Sequence, residues 1–368
     1  MKLSAYRFAW TVFGILTYIL DIGADICVAF QYFSRGHYSW FALTLVFVFI
    51  ATVTIQIFSL SWFKDDPPEP SDTRRCSPGQ ITAVHWFQMG IFIRYNDVLR
   101  KRFKAVYRSS QDIHSDVFSI VADLSMLRLF ETFLESAPQL ILQISIILEH
   151  KERFSIQYVT ILTSFMAIAW ATVDYQRCLR RSLKMKEIVF GLPTVVYLLY
   201  KLFTITSRIL SIALLTIVNI YFTLALVAVV WLFGTIWAFR QHTDFCTSKY
   251  LEVYYRAVVG VILVFTFFNI KGQNTHVPMT VYYTLYVLQT AGVLILFWCQ
   301  KLSLTEPVLL AVTITTAVTI ILGLICLVLY YLYLHPTKNV PNVADEIDGL
   351  EARPSREQLS RISRFLQQ

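Results

Sequence analysis

Long apolar stretches, separated by short polar segments, run through most of this chain. There are ten of them, at residues 8–34, 39–63, 81–99, 118–148, 155–175, 188–215, 216–240, 250–270, 279–300 and 306–334. A helix of about 20 apolar residues crosses the roughly 30 Å hydrocarbon core of a bilayer, and most of the stretches are that long. Helices satisfy all their backbone hydrogen bonds internally, as a bilayer requires. The pattern therefore predicts an all-α polytopic membrane protein.

Composition and charge agree with a membrane location. Hydrophobic residues make up 56% of the chain and charged residues only 15%, whereas about 25% of residues are charged in soluble proteins. The net charge of +8 comes from basic clusters beside apolar stretches. Such clusters set membrane topology and contact anionic lipid, so no nucleic-acid partner is expected. The six cysteines have no paired spacing and are predicted to be free thiols.

The C-terminal segment, residues 336–368, has the composition of an exposed tail and contains a candidate protease site. The sequence Asp345-Glu346-Ile347-Asp348-Gly349 fits a caspase recognition sequence. An arginine-lined pocket can bind the Asp348 carboxylate through two hydrogen bonds. Asp345 supplies a second anchor, and Gly349 presents no side chain to hinder attack. The alternative is a chance acidic cluster in a solvated tail.

The residues after this site form a short amphipathic, basic segment. Leu359, Ile362, Phe365 and Leu366 recur at helical spacing, with four arginines between residues 353 and 364. One interpretation is a membrane-surface anchor. The other, which we favour, is an inhibitory segment docked on the cytoplasmic face, because cleavage after Asp348 would replace intramolecular docking by much weaker intermolecular binding.

Two basic clusters without acids, at 100–108 and 177–186, test the topology. If the N-terminus is cytoplasmic and all ten stretches cross the bilayer, both clusters lie outside, against the positive-inside tendency. Both lie inside if stretch 81–99 enters and leaves on the cytoplasmic side. Its polar residues, such as His85 and Arg94, suit a re-entrant or in-plane helix packed against protein.

A tail that caspases can cleave must be cytoplasmic, which requires an even number of spans. Stretch 250–270 opens with four polar or charged residues between 252 and 256 and is the best second partial helix. The sequence thus predicts eight transmembrane helices plus two re-entrant or in-plane helices, with both termini cytoplasmic. Two spans, a partial helix and two spans occur twice in that order. This order predicts two tandem pseudo-symmetric repeats, residues 1–186 and 187–335, followed by the tail 336–368.

Polar and ionisable side chains interrupt the apolar stretches. Charged residues within a bilayer cost about 2.5–3.5 kcal/mol each on insertion scales and mark functional interiors. The candidates for a polar track are Asp21, Asp25, Asp123, Arg128, Glu131, Glu135, Gln139, Gln143, Asp174, Lys201 and Arg208. Four of them, from Glu131 to Gln143, recur every fourth residue and so form a stripe along one helix face. Pro138 is predicted to kink this helix.

Two interpretations of these residues remain open. In the first, acids of the first half pair with Lys201 and Arg208 in an ion-pair network that fixes helix packing. In the second, which we favour, the residues form a polar track for ions or lipid headgroups, because two carboxyl-bearing faces and a glutamine ladder exceed what packing requires. The sequence has no nucleotide-binding loop, zinc-protease motif or EF-hand loop. We therefore expect neither an enzyme nor a bound metal or cofactor.

Three motifs resemble those of the XK-related family. They are DLSMLRLFETFLESAPQL at 123–140, Asp174-Tyr175 after Trp170, and FFNIKGQN at 267–274. The resemblance extends over nearly the whole membrane part. It implies a plasma-membrane phospholipid scramblase that an executioner caspase of the caspase-3 type activates, and that exposes phosphatidylserine on apoptotic cells without ATP. It also implies the eight-span fold. The polar-track positions that match the family are Asp21, Asp25, Glu131, Glu135, Asp174 and Arg208.

The partners that the resemblance implies are membrane phospholipids and the caspase, and it allows a single-span accessory protein. Two other classes of function stay open. A caspase-regulated ion channel or transporter would use the same acids as a permeation path. A membrane scaffold whose cleavage releases a signalling peptide would leave the buried acids unexplained.

Overall fold

The computed structural model describes residues 2–65, 78–107, 111–150, 155–182, 191–241, 245–268, 276–299 and 307–334. Nearly all of these residues are helical, and these ranges contain no strand. The helices are α1 (Lys2–Ser34), α2 (Tyr38–Asp65), α3 (Pro78–Trp86), α4 (Gly90–Tyr107), α5 (Gln111–Glu131), α6 (Ala137–His150), α7 (Ser155–Ser182), α8 (Leu192–Val218), α9 (Ile220–Arg240), α10 (Lys249–Phe265), α11 (His276–Cys299) and α12 (Pro307–Leu329). Two π-helical turns, Thr132–Ser136 and Tyr330–Leu334, follow α5 and α12. The predicted all-α class is confirmed.

Six helical segments within the described ranges are long and apolar enough to cross a membrane. They are Thr11–Ser34, Tyr38–Asp65, Leu192–Val218, Ile220–Arg240, His276–Cys299 and Pro307–Leu334. All six were predicted as spans. Several such helices in one chain indicate a multi-pass membrane protein. The other two predicted spans correspond to the continuous run from α5 to α6 and to α7. Their crossing of the bilayer, and with it the full eight-span topology, stays a prediction.

The predicted partial helix at 81–99 is two helices with a break at residues 87–89. Gln88 adopts a left-handed backbone conformation with φ of 61°, which few residues other than glycine tolerate. Gly90 then opens α4 where a Cβ atom would overlap with the Gln56 side chain and the His85 ring. The periodicity of the apolar residues continues across this break and therefore did not reveal it.

The second predicted partial helix is α10, which has 17 residues. At 1.5 Å per residue it is about 25 Å long, shorter than the hydrocarbon core. The helix ends at Phe265, and the backbone of the next residue, Thr266, is extended with φ of −152°. The length agrees with a partial helix, although its place in the bilayer and the pseudo-symmetry of the two halves stay predictions.

The chain divides into two compact units, Met1–Gln139 and Leu140–Gln368. In the first unit, aromatic residues of α2 and α5 form the core, with the Phe58 and Phe130 ring centroids 5.1 Å apart and Trp62 fully buried beside them. The predicted repeat boundary near 186 concerns internal symmetry and is not tested by this division.

In the second unit, α8 is the central helix and α12 packs along it. Gly323 of α12 permits close approach, because a Cβ atom there would lie 2.8 Å from Thr204 Cγ2. Tyrosines of α8, α11 and the last π-helical turn surround this contact: Tyr197, Tyr200, Tyr283, Tyr286 and Tyr330 are all buried. By contrast, α9 exposes large apolar side chains such as Phe233, as a lipid-facing helix does.

Candidate functional site

Four carboxyl side chains of the first unit lie close together on two helical segments. Asp21 and Asp25 are one turn apart on α1. Glu131 ends α5, and Glu135 lies in the π-helical turn Thr132–Ser136. Asp25 is adjacent to Glu135, while Glu131 is near enough to both aspartates for mutual electrostatic interaction. We call these four residues, together with Arg128 and Gln139, the carboxyl cluster.

Arg128 is the cation of the carboxyl cluster. Its Nη1 donates to Glu131 Oε2 at 2.9 Å, and its Cζ lies 5.0 Å from the centre of the Tyr18 ring on α1. Tyr18 in turn packs edge-on against Phe92 of α4. Of the four carboxyl groups, Glu131 and Asp21 interact with this guanidinium group, so the cluster contains more acidic groups than its one cation can pair with.

Gln139 follows Glu135 by one turn and lies beside Asp25. Its side chain is 5% exposed, and its Nε2 makes no hydrogen bond of ordinary geometry with a described residue. A buried amide donor next to a carboxyl group is suited to binding a polar group that enters the cluster.

A π-helical turn, Thr132–Ser136, interrupts the helix within the polar stripe. Pro138 has no backbone N–H and cannot continue the ordinary ladder of hydrogen bonds. Immediately before it, the Ala137 N–H donates to the Thr132 carbonyl, five residues back. This wider turn stands where the sequence predicted a kink. Such turns occur often at functional sites, and this one holds Glu135.

Asp123, also predicted for the polar track, pairs with Arg94 of α4. The distance from Arg94 Nη1 to Asp123 Oδ2 is 3.3 Å, and both side chains are buried. Arg94 also donates to the hydroxyl and the carbonyl oxygen of Ser59 on α2, each at 2.9 Å. Sequence reasoning missed both contacts of Arg94, because Asp123 follows it by 29 residues and Ser59 precedes it by 35 residues in an apolar helix.

Two buried cations of the second unit, Lys201 and Arg208 of α8, bind neutral oxygen atoms around the end of α10. Lys201 Nζ donates to Thr266 Oγ1 at 2.9 Å and to the Phe267 carbonyl at 3.0 Å. Arg208 Nε donates to the Val264 carbonyl at 2.7 Å, and Nη1 donates to Gln289 Oε1 at 2.6 Å. The C-terminus of a helix carries partial negative charge. The two cations therefore hold this end of α10 in place.

The remaining track residues of the second unit are Gln143 on α6 and Asp174 on α7, both half-buried. The Cys178 thiol lies 3.9 Å from Asp174 Oδ2. The predicted pairing of Lys201 and Arg208 with acids of the first half would join the two units and stays a prediction.

Two predicted sites lie outside the described residues. They are the cleavage sequence Asp345, Glu346, Ile347, Asp348 and Gly349, and the apolar tail positions Leu359, Ile362, Phe365 and Leu366. Within the described ranges, no group of three or more His, Cys, Asp or Glu side chains could hold a metal ion. The described residues thus form a polar, acid-rich cluster, and one of its helices, α1, is long and apolar enough to cross a membrane.

Comparison with known proteins gives consistent matches over most of the chain. A model of the XK-related family, described as XK-related protein, matches residues 9–336. XK-related protein 9 of Tetraodon nigroviridis is 45% identical over 367 residues, covering 96% of this chain and 96% of that protein. XK-related protein 8 of the same species is 33% identical over 352 residues, covering 91% and 86%. XK-related protein 8 of Pan troglodytes is 31% identical over 354 residues, covering 94% and 88%.

Proposed function

Because the chain belongs to the XK-related family, we propose that it is a phospholipid scramblase of the plasma membrane. In this proposal, a caspase of the caspase-3 type activates it by cleavage after Asp348, and phosphatidylserine becomes exposed on apoptotic cells. Both termini are cytoplasmic. The protein is not an enzyme, and its partners are membrane phospholipids and the caspase. The cleavage site lies outside the described residues, so this part of the proposal rests on the sequence.

The observation that carries the proposal is the carboxyl cluster on α1 and the α5–α6 run. A lipid headgroup crosses hydrocarbon slowly because its charged groups lose their hydration. Polar side chains along the protein replace part of that hydration while the acyl chains stay in the bilayer. Such transport is passive and only dissipates an existing asymmetry between the leaflets.

The cluster offers partners for both charges of a headgroup. The ammonium groups of phosphatidylserine, phosphatidylethanolamine and phosphatidylcholine are attracted by Asp21, Asp25, Glu131 and Glu135. The phosphate is attracted by Arg128 and by the buried amide of Gln139. Neither interaction is specific for one headgroup, so we expect little selectivity among these lipids.

The test is a dithionite quenching assay on liposomes that contain fluorescent lipid and the purified full-length protein. With caspase-3, quenching should extend beyond the lipid of the outer leaflet. Without caspase-3, or in the Asp348→Ala variant, it should stop at the outer leaflet. Complete cleavage without lipid movement would overturn the proposal that cleavage alone activates transport.

An ion channel is the second candidate, and the excess of acids over cations in the carboxyl cluster favours it for cations. The two functions differ in what crosses the bilayer. Current across a planar bilayer after cleavage, in the absence of lipid movement, would establish the channel. Lipid movement without single-channel current would establish the scramblase.

A further inference from the structure

The break between α3 and α4 is closed by a buried hydrogen-bond network centred on Ser59. His85 Nε2 lies 3.0 Å from Ser59 Oγ, and Arg94 Nε donates to the same oxygen at 2.9 Å. Gln56 Oε1 accepts from the Gly90 N–H at 3.0 Å. All four side chains are buried. These contacts tie the end of α3 and the start of α4 to one face of α2.

The partners fix where the hydrogen atoms of His85 lie. Nδ1 is 2.7 Å from the Ile81 carbonyl oxygen, which can only accept, so Nδ1 carries the ring hydrogen. Arg94 has no acceptor atom and therefore donates to Ser59 Oγ. The single hydroxyl hydrogen of Ser59 is then free to point at Nε2, which accepts it. The chain of hydrogen bonds from Arg94 through Ser59 and His85 to Ile81 is complete only when the imidazole is neutral.

A second proton on the ring would disrupt this chain. Nε2–H and Arg94 Nε–H would both point at Ser59 Oγ, and the hydroxyl hydrogen would lose its acceptor. Among the residues that the structure describes, the charged groups that act on His85 are Arg94 on α4 and Lys64 on α2, and both are cations. Asp123 of α5 is already the ion-pair partner of Arg94, and the Phe63 ring that packs edge-on against the imidazole is uncharged.

The environment favours the neutral form. Burial and the two nearby cations lower the pKa of His85 below its usual range. A histidine whose pKa is lower in the closed state than in the open state contributes stability above the pKa of the open state. This stability is lost as the pH falls toward the pKa of the closed state. The loss begins near the pKa of the open state, which is about 6.5 for a solvated histidine. The change therefore falls within the range of cellular pH values.

We propose that the α3–α4 break is a proton-sensitive latch, in which neutral His85 holds the break against Ser59 and a second proton on the ring releases it. Release would free Trp86, Phe87 and Met89, which already expose most of their apolar surface next to the break. The position of this segment in the bilayer would then depend on cytoplasmic pH. The latch does not depend on the proposed lipid transport, because its contacts all lie within α2, α3, α4 and α5.

The test is amide hydrogen exchange of the full-length protein in lipid nanodiscs, measured by mass spectrometry and corrected for intrinsic exchange rates. Between about pH 7.5 and about pH 5.5, protection of the amides at 85–94 should fall by about tenfold, as expected for one proton taken up on opening. Protection at 201–208, in α8, should not change. Equal protection of residues 85–94 at both pH values would overturn the proposal.

Two variants assign the effect to His85. In His85→Gln, which cannot take up a proton, protection at 85–94 should be independent of pH; the same loss at low pH as in the unsubstituted protein would contradict the proposal.

Ser59→Ala and Gln56→Ala give an independent comparison if His85→Gln does not fold. Ser59→Ala removes the bond that is specific to neutral His85, so the lower limit of the pH change, which the closed state sets, should rise by about 0.7 pH unit, the equivalent of one ordinary hydrogen bond. Gln56→Ala should lower protection without moving this lower limit. Equal lower limits in the two variants would also overturn the proposal.

Discussion

Glu135 and Arg94 are both buried ionisable residues, but their surroundings differ. Glu135 lies in a π-helical turn next to Asp25, with more acids than cations around it. Arg94 is engaged by Ser59 and Asp123 and packs over the Phe63 ring, 4.3 Å from its centroid. Under the proposed function, we therefore expect Glu135 to act in transport and Arg94 to position helices.

Replacing Glu135 should slow lipid transport without affecting cleavage. Glu135→Gln keeps the size of the side chain and removes a carboxyl group that can ionise and bind an entering headgroup ammonium. We expect the caspase-activated rate to fall by about tenfold, which corresponds to about 1.4 kcal/mol in the barrier. The dithionite assay measures this rate. Glu149→Gln is the matched control, because Glu149 is exposed on α6; a similar loss in both variants would contradict the assignment.

Replacing Arg94 should lower the stability of the first unit rather than change transport selectively. Arg94→Ala leaves Asp123 and the Ser59 carbonyl buried without this partner, and breaking a buried ion pair costs about 3–5 kcal/mol. Thermal unfolding in detergent should show a clearly lower midpoint. Arg100→Ala, at an exposed position of the same helix, should change stability by less than about 0.5 kcal/mol. An unchanged midpoint for Arg94→Ala would show that the ion pair contributes little.

At the level of elements, the close approach of α2 to the start of α4 depends on one glycine. Gly90→Ala places a methyl group on the Gln56 side chain and the His85 ring, and overpacking of this kind costs about 1–3 kcal/mol. Gly292→Ala is the control, because among the described residues an added Cβ atom there would meet no atom of another helix within 4 Å. That variant should gain about 0.5–1 kcal/mol from helix propensity. Unfolding midpoints that move in the same direction would refute this account.

The sequence predicted most helices correctly but missed their interruptions. Apolar stretches of bilayer length identify α1, α2, α8, α9, α11 and α12 without knowledge of their neighbours. The break at 87–89 was missed, because it depends on Gln56 and Ser59, which precede it by about 30 residues in the chain. Pro138 gave a local signal, so a distortion was predicted at the right place, although not its π-helical form.

In the candidate site, too, the local spacing of residues could be predicted from the sequence, but contacts between distant helices could not. The four-residue spacing from Glu131 to Gln139 is visible in the sequence, and the structure places these residues together with Asp25. The contacts of Asp123 with Arg94, and of Lys201 and Arg208 with the end of α10, could not be predicted. Each joins helices that are distant in the chain, and charge alone does not choose among several candidate partners.

For the whole molecule, the proposed inhibition by the tail makes a prediction about concentration. A chain that ends at Asp348 should transport lipid without caspase, because the inhibitory segment is absent. The peptide 349–368 added in solution should match the inhibition by the tethered segment only near the millimolar effective concentration of that segment. A scrambled peptide of the same composition is the control. A truncated chain that is inactive in the dithionite assay would show that the tail does not act as an inhibitor.

The contacts of α8 with the end of α10 have a consequence for biosynthesis. Lys201 and Arg208 together would cost about 5–7 kcal/mol if α8 entered lipid alone. The carbonyl groups that bind these cations belong to Val264 and Phe267, which the ribosome adds only after α9 is complete. Until then, α8 must remain in the translocation machinery or be shielded by a chaperone. Nascent chains that stop before α10 should therefore be recognised by membrane quality control and degraded.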